Sequence, residues 1–143
     1  MIILDTDVLS IAQKPESPDA LVLQRHMVSL SPDVAVATTI ISYHEQTRGW
    51  FEYFSKAKTR SDIVKAYFKL LKHVNDWRNI NVVPFDDNAS TAFDSLRAQK
   101  IRVGTPDLRI AAIALSLNAT LITRNLQDFK KVPGLKIEDW TKP

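Results

Sequence analysis

Asp5, Glu45, Asp107 and Asp128 stand beside short apolar segments or at the starts of helical patterns, positions from which carboxylates can converge. Converging carboxylates repel one another, and protonation, a cationic side chain or a bound divalent ion relieves the repulsion. A donor set made only of oxygen favours Mg²⁺ or Mn²⁺ over zinc. Such an ion lowers the pKa of a bound water and offsets charge on a phosphodiester under attack, so no protein nucleophile is needed.

Each acid also has a structural alternative. Asp5 and Asp7 can cap the helix that follows the first apolar run. Asp107 would be favoured in a first helical turn by about 0.3–1 kcal/mol through the helix dipole. Glu45 is harder to explain this way, because Ile40, Ile41, Tyr43, Trp50 and Phe51 make its helix largely apolar, leaving Arg48 as the simple partner. Asn125 and Asp128, three residues apart after a strand, can share one side of a turn or merely form it. Twelve of the 16 acids are Asp, a short carboxylate suited to caps and hard-metal sites.

Other chemistry is excluded by absence. With no cysteine there is no disulfide, thiolate metal site or thiol nucleophile, which fits a reducing compartment. His26, His44 and His73 fall on different helices without metal-ligand spacing and are read as structural or surface residues. Three glycines cannot supply a Gly-rich phosphate loop.

The elements that would position the acids follow from periodicity. Ile2–Leu4 is a buried strand ending at Asp5; Ser17-Pro18-Asp19 opens a helix to about Leu30. Val34–Ala37 is a second strand, followed by a helix capped by Thr38 or Thr39, with Glu45 in its second turn. Ile63, Tyr67, Leu70, Leu71, Val74 and Trp77 mark an amphipathic helix over 59–78 whose aromatics belong to a core or an interface. Ile80–Phe85 is a third strand, and Asp86 or Asp87 caps the next helix. Thr105-Pro106-Asp107 repeats the cap, proline and acid order before an alanine-rich helix, Leu108 to Leu117. Asn118 supplies a left-handed residue after it, Thr120–Ile122 is a fourth strand, and a fifth lies around Ile137. This alternation predicts an α/β fold, a mostly parallel five-stranded sheet covered by helices on both faces, with ligands at the carboxyl ends of the strands.

At 143 residues the chain is expected to form a single domain over 1–143. Its start lacks a signal peptide's basic region and no apolar run approaches a membrane span, so no membrane association and a cytoplasmic location are expected. The net charge of +3 leans mildly toward polyanionic partners.

Several segments resemble the PIN-domain ribonucleases of the VapC type, toxins of type II toxin–antitoxin pairs. Ile3-Leu4-Asp5-Thr6-Asp7 resembles the family's opening strand, with Asp7 where Asn is usual. Thr38-x-x-x-Ser42-x-x-Glu45-x-x-x-Gly49 resembles its second motif, and Gly104-Thr105-Pro106-Asp107 with Ile110-Ala111-Ala112 its third. Thr123-Arg124-Asn125-x-x-Asp128-Phe129 resembles the C-terminal signature, whose fourth acid varies between the places of Asn125 and Asp128. The resemblance implies a three-layer α/β/α sandwich, Mg²⁺- or Mn²⁺-dependent endoribonuclease activity, homodimerisation and a cognate antitoxin over the acidic pocket. It implies catalytic roles for Asp5, Glu45, Asp107 and Asp128, of which Asp5, Asp107 and Asp128 hold metal. Asp7, Ser42, Thr123 and Asn125 support them. Arg48, Lys100, Arg102, Arg109 and Arg124 would then carry the RNA backbone past the acids.

Two other functions are weighed against this. A phosphatase of the haloacid-dehalogenase type would use Asp5 and Asp7 as nucleophile and acid, but leaves Glu45 and the 104–112 segment without a role. A non-catalytic nucleic-acid or protein-binding module would make every acid a cap or turn-former.

Overall fold

The computed structural model describes residues Met1–Pro143. Five strands, β1 (Ile2–Leu4), β2 (Val36–Thr39), β3 (Val82–Val83), β4 (Thr120–Ile122) and β5 (Lys136–Glu138), form one sheet ordered β3-β2-β1-β4-β5. Every pairing is parallel, so the expected mostly parallel sheet is wholly so. Between the strands run α1 (Thr6–Ala12), α2 (Pro18–Val28), α3 (Ile40–Ser55), α4 (Arg60–Trp77), α5 (Asp87–Ala98), α6 (Thr105–Ser116) and α7 (Leu126–Phe129).

Alternation along the strands creates the layers. Ile3 and Leu121 point into a core shared with Phe93 and Leu96 of α5 and Ile110 and Ile113 of α6. Ile2, Leu4 and Ile122 point the other way, onto Val8 and Leu9 of α1, Leu23 of α2, Trp77 and Trp140. Helices thus cover both faces, as a three-layer α/β/α sandwich requires. Each fully buried Leu or Ile contributes about 1.5–3 kcal/mol to this arrangement. No helix is long and apolar enough to cross a membrane.

Side-chain caps start most helices where polar residues precede apolar ones. Ser17 accepts from the Ala20 amide at 3.2 Å, Thr39 from Ser42 at 3.1 Å, Thr59 from Asp62 at 3.1 Å and Asp86 from Ala89 at 2.9 Å. Each such cap stabilises its helix by about 1 kcal/mol. Asn118 takes the expected left-handed conformation, with φ 49°.

Three local expectations need correction. The second strand lies two residues later than 34–37, because Thr38 and Thr39 belong to it and the Thr38 hydroxyl donates to the Leu4 carbonyl at 2.8 Å. The third strand shrinks to Val82–Val83, an edge position where Pro84 has no amide to continue the ladder. Thr105 does not cap α6; Gly104 occupies that position without a side-chain bond, which moves Asp107 to the third helical residue.

The 59–78 pattern forms α4, but its apolar residues divide between two faces. Ala66, His73 and Trp77 are buried, whereas Val64, Tyr67, Phe68, Leu71 and Val74 are exposed. The chain leaves β1 for β2 and β3 on one side and reaches β4 and β5 on the other. The carboxyl ends of β1 and β4 therefore flank a topological switch point, the usual place for a ligand crevice in such sheets.

Candidate active site

A cleft of about 370 Å³ opens at that switch point, lined by Asp5, Thr6, Asp7, Ser10, Glu45, Asp107 and Asn125. Asp5 leaves β1 almost fully buried, at 6% exposure. Its Oδ1 accepts the Thr6 amide at 2.7 Å, starting α1, and its Oδ2 accepts the Thr123 hydroxyl at 2.8 Å. Thr123, just beyond β4, also accepts the Asn125 amide at 3.0 Å. Asp5 thus caps α1, one of the two roles open from sequence, and also lines the cleft.

Glu45 reaches the cleft from the second turn of α3. The Thr6 hydroxyl lies 2.9 Å from the Ser42 hydroxyl and 3.3 Å from Glu45 Oε1, so one proton serves two acceptors. Ser42 is fully buried and also lies 3.2 Å from the Thr39 hydroxyl, which ties Glu45 to the cap of its own helix. Asp107 enters from the first turn of α6, where Asn125 Nδ2 approaches its Oδ2 at 3.5 Å.

None of the lining side chains is basic. Burial pushes the Asp5 carboxyl up to about 6 despite the Thr123 and Thr6 hydrogen bonds, and the charges of Asp107 and Glu45 add to the rise. Burial and Asp107 raise Glu45, with Thr6 and Arg48 opposing; burial and Asp128 raise Asp107. The cleft therefore holds more negative charge than its own groups offset, and needs protons or an external cation.

Some expected site residues are placed differently. Asp128 does not line the cleft: it is ion-paired with Lys131 at 2.6 Å, a hydrogen bond that holds its carboxyl below the usual range. Asn125 stands in the lining instead and donates to Asp128 at 3.1 Å from behind. Asp7 lies at the exposed rim, 3.8 Å from Arg124, which also meets Asp19 at 3.5 Å. The other basic candidates are spread out. Arg48 pairs with Glu52 at 4.0 Å, Arg109 lies over the Phe93 ring, and Lys100 and Arg102 sit between α5 and α6. Sequence reasoning passed over Thr6 and Ser10 as lining residues; their i, i+4 spacing directly after Asp5 was the available signal.

A family model described as PIN domain matches residues 2–135. The chain belongs to the PIN-domain family. Ribonuclease VapC1 of Haemophilus influenzae strain R2866 is 26% identical over 148 residues, covering 97% of both chains. The tRNA(fMet)-specific endonuclease VapC of Salmonella typhimurium strain LT2 is 37% identical over 65 residues, covering 43% of this chain and 49% of that one. The solved VapBC-1 of nontypeable Haemophilus influenzae superposes with a TM-score of 0.70 at 27% identity, covering 99% and 100% of the two chains.

The donor chemistry of this PIN domain suits a hard divalent ion, since carboxylate, amide and hydroxyl oxygens line the cleft. No three acidic or histidine side chains form a ready-made metal cage.

Proposed function

We propose that this PIN domain is a divalent-metal-dependent endoribonuclease, the toxin of a toxin–antitoxin pair acting in the cytoplasm. The observation that carries the reading is the carboxylate set of buried Asp5 and half-buried Glu45 and Asp107, with no basic side chain among the residues lining its cleft. The similarity to ribonuclease VapC1 over nearly the whole chain supports RNA as the substrate.

Asp5 and Asp107 would hold Mg²⁺ or Mn²⁺, with Asn125 set against Asp107 and Asp128 keeping Asn125 in place. The ion supplies charge neutralisation at the phosphodiester and a lowered pKa for bound water. In hydrolysis the water oxygen bonds to phosphorus as it gives up a proton, the bond from phosphorus to the sugar oxygen breaks, and that oxygen takes a proton from solvent to leave as a hydroxyl. Glu45, whose carboxyl is pushed upward by burial and by Asp107 and which accepts from the Thr6 hydroxyl, would take that proton as general base. Thr123 and Ser42 act one bond back by fixing Asp5 and Thr6.

The likeness to the solved VapBC-1 complex supports a cognate antitoxin, and the exposed apolar face of α4 supports a protein partner, including a second copy in a homodimer. The test uses partner-free protein and single-stranded RNA. Cleavage with Mg²⁺ or Mn²⁺ that EDTA abolishes, and that Asp107→Asn loses while keeping its circular dichroism spectrum, is the expected result. Full activity in the folded Asp107→Asn protein would overturn the assignment.

A further inference from the structure

A second cavity, of about 560 Å³, lies between α1, α3 and α4 and opens beside the carboxylate cleft, with Ser10 in the wall of both. Its chemistry is the reverse of its neighbour's. The cleft presents Asp5, Asp7, Glu45 and Asp107 without a base, whereas the cavity presents Lys14, Lys69 and Lys72 with Asp76 as its one acid. Lys72 is engaged with Asp76 at 2.6 Å, which leaves Lys14 and Lys69 as cations outside any ion pair.

Aromatic rings complete the cavity. Trp50 and Tyr53 meet edge to face at 5.9 Å, and Lys69 Nζ lies 4.7 Å from the Tyr53 centroid and 5.8 Å from that of Trp50. Tyr53 is 40% exposed, so part of this aromatic wall is open to solvent. His73 closes the back wall: it is buried, burial lowers its pKa, and its Nε2 lies 2.9 Å from the Thr47 hydroxyl. The wall toward the cleft is held in place. Gln46 accepts the Trp77 indole N–H at 3.1 Å and donates to Ser10 at 2.9 Å and Gln13 at 3.0 Å.

Gly49 is the telling residue. It sits inside α3, one turn past Glu45 on the same face, and lines the cavity. Glycine inside a helix is destabilising relative to alanine. A Cβ here would meet no atom of the chain within 4 Å, so internal packing does not require the glycine. A Cβ at Gly49 would enter open space beside the cavity that this residue lines.

We infer that the cavity between α1, α3 and α4 is a nucleobase subsite, seating an unpaired base of the RNA strand next to the phosphodiester held in the carboxylate cleft. Stacking on an exposed ring, with lysines nearby for the flanking phosphate, is how single strands are gripped without base pairing. The inference rests on the ribonuclease reading and adds where the substrate's selectivity resides.

The probe is an uncleavable 2′-O-methyl RNA hexamer, titrated by fluorescence anisotropy, alongside versions carrying one abasic nucleotide at each position. Tyr53→Ala and Gly49→Ala should weaken binding of the intact hexamer by roughly five- to hundred-fold, the range for one lost base–aromatic stack. One abasic position should weaken the unsubstituted protein similarly, and the two losses should not add. Tyr53→Phe should retain affinity, and Gly49→Ala should raise the melting temperature while it lowers affinity. Unchanged binding in both alanine variants overturns the subsite, as does equal weakening at every abasic position. Retained RNA affinity with loss of a co-expressed antitoxin also overturns it, making the cavity a peptide site. RNA cleavage by the unsubstituted protein separates the two readings. If it cleaves and the variants bind normally, the subsite alone fails; absent cleavage, the ribonuclease reading fails with it.

Discussion

Asp107 and Asp128 share one amide group yet occupy opposite electrostatic settings. Asn125 Nδ2 lies 3.5 Å from Asp107 and 3.1 Å from Asp128. Asp107, half-buried, has its carboxyl pushed upward by burial and by Asp128 itself. Asp128 is solvated and neutralised by Lys131, so its carboxyl is pulled downward. The same residue type is therefore short of a cation on one side of Asn125 and already supplied on the other. A cluster of acids in sequence does not say which of them has spare charge for a metal; burial and the neighbouring base decide it.

The largest effect should come from removing an acid on the deficient side. Glu45→Gln should lower RNA cleavage by ~10²–10⁴-fold, the scale of a lost general base. Asp128→Ala should cost about 10-fold, as outer groups that orient a site do. Side-by-side cleavage rates check this, and a larger loss at Asp128 than at Glu45 would invert the comparison.

The next effect is on stability. The Asp5 carboxyl rises from an ordinary 3.8 to about 6 on folding, so between these values the folded state binds more protons than the unfolded one. Metal-free stability is then greatest below about pH 4 for this group and falls as pH rises through 6, by about 1–3 kcal/mol. Glu45 and Asp107 act in the same direction. Melting in EDTA between pH 4 and 7.5 should show the decline, Asp5→Asn should flatten it, and saturating Mg²⁺ should restore what is lost at neutral pH. A metal-free melting temperature that instead climbs across that range would mean the acids are not in conflict.

The smallest effect belongs to Lys131→Ala, which removes an exposed partner. The melting temperature should not move, since exposed ion pairs contribute little. Ion affinity, followed by Mn²⁺ titration, should rise slightly as Asp128 regains a free charge beside Asn125. A fall in affinity would place Lys131 in support of the site.

Much of the frame was legible because it depends on local chemistry. Short apolar runs produced β1 and β4, and Ser17, Thr39 and Asp86, each among the caps expected from sequence, start their helices. Asp5, Glu45 and Asp107 could be singled out because each lies beside a strand end or helix start, and parallel strands bring those ends to one edge. The division of α4 into buried and exposed apolar residues was not legible, since periodicity reports that a face exists without saying what covers it.

Sequence alone determined the alternation of elements, and with it a parallel sheet whose carboxyl edge carries acids, because hydrophobic period and capping act over a few residues. Tertiary structure alone decided the electrostatics. Thr123, 118 residues from Asp5, supplies that carboxyl's buried hydrogen bond. Lys131 removes Asp128 from the set that lacks a cation, and Lys14, Lys69 and Trp50, far apart in the chain, meet beside Ser10. Charge balance and burial depend on distances through space, which the packing of helices on both faces of the sheet sets and no spacing along the chain encodes.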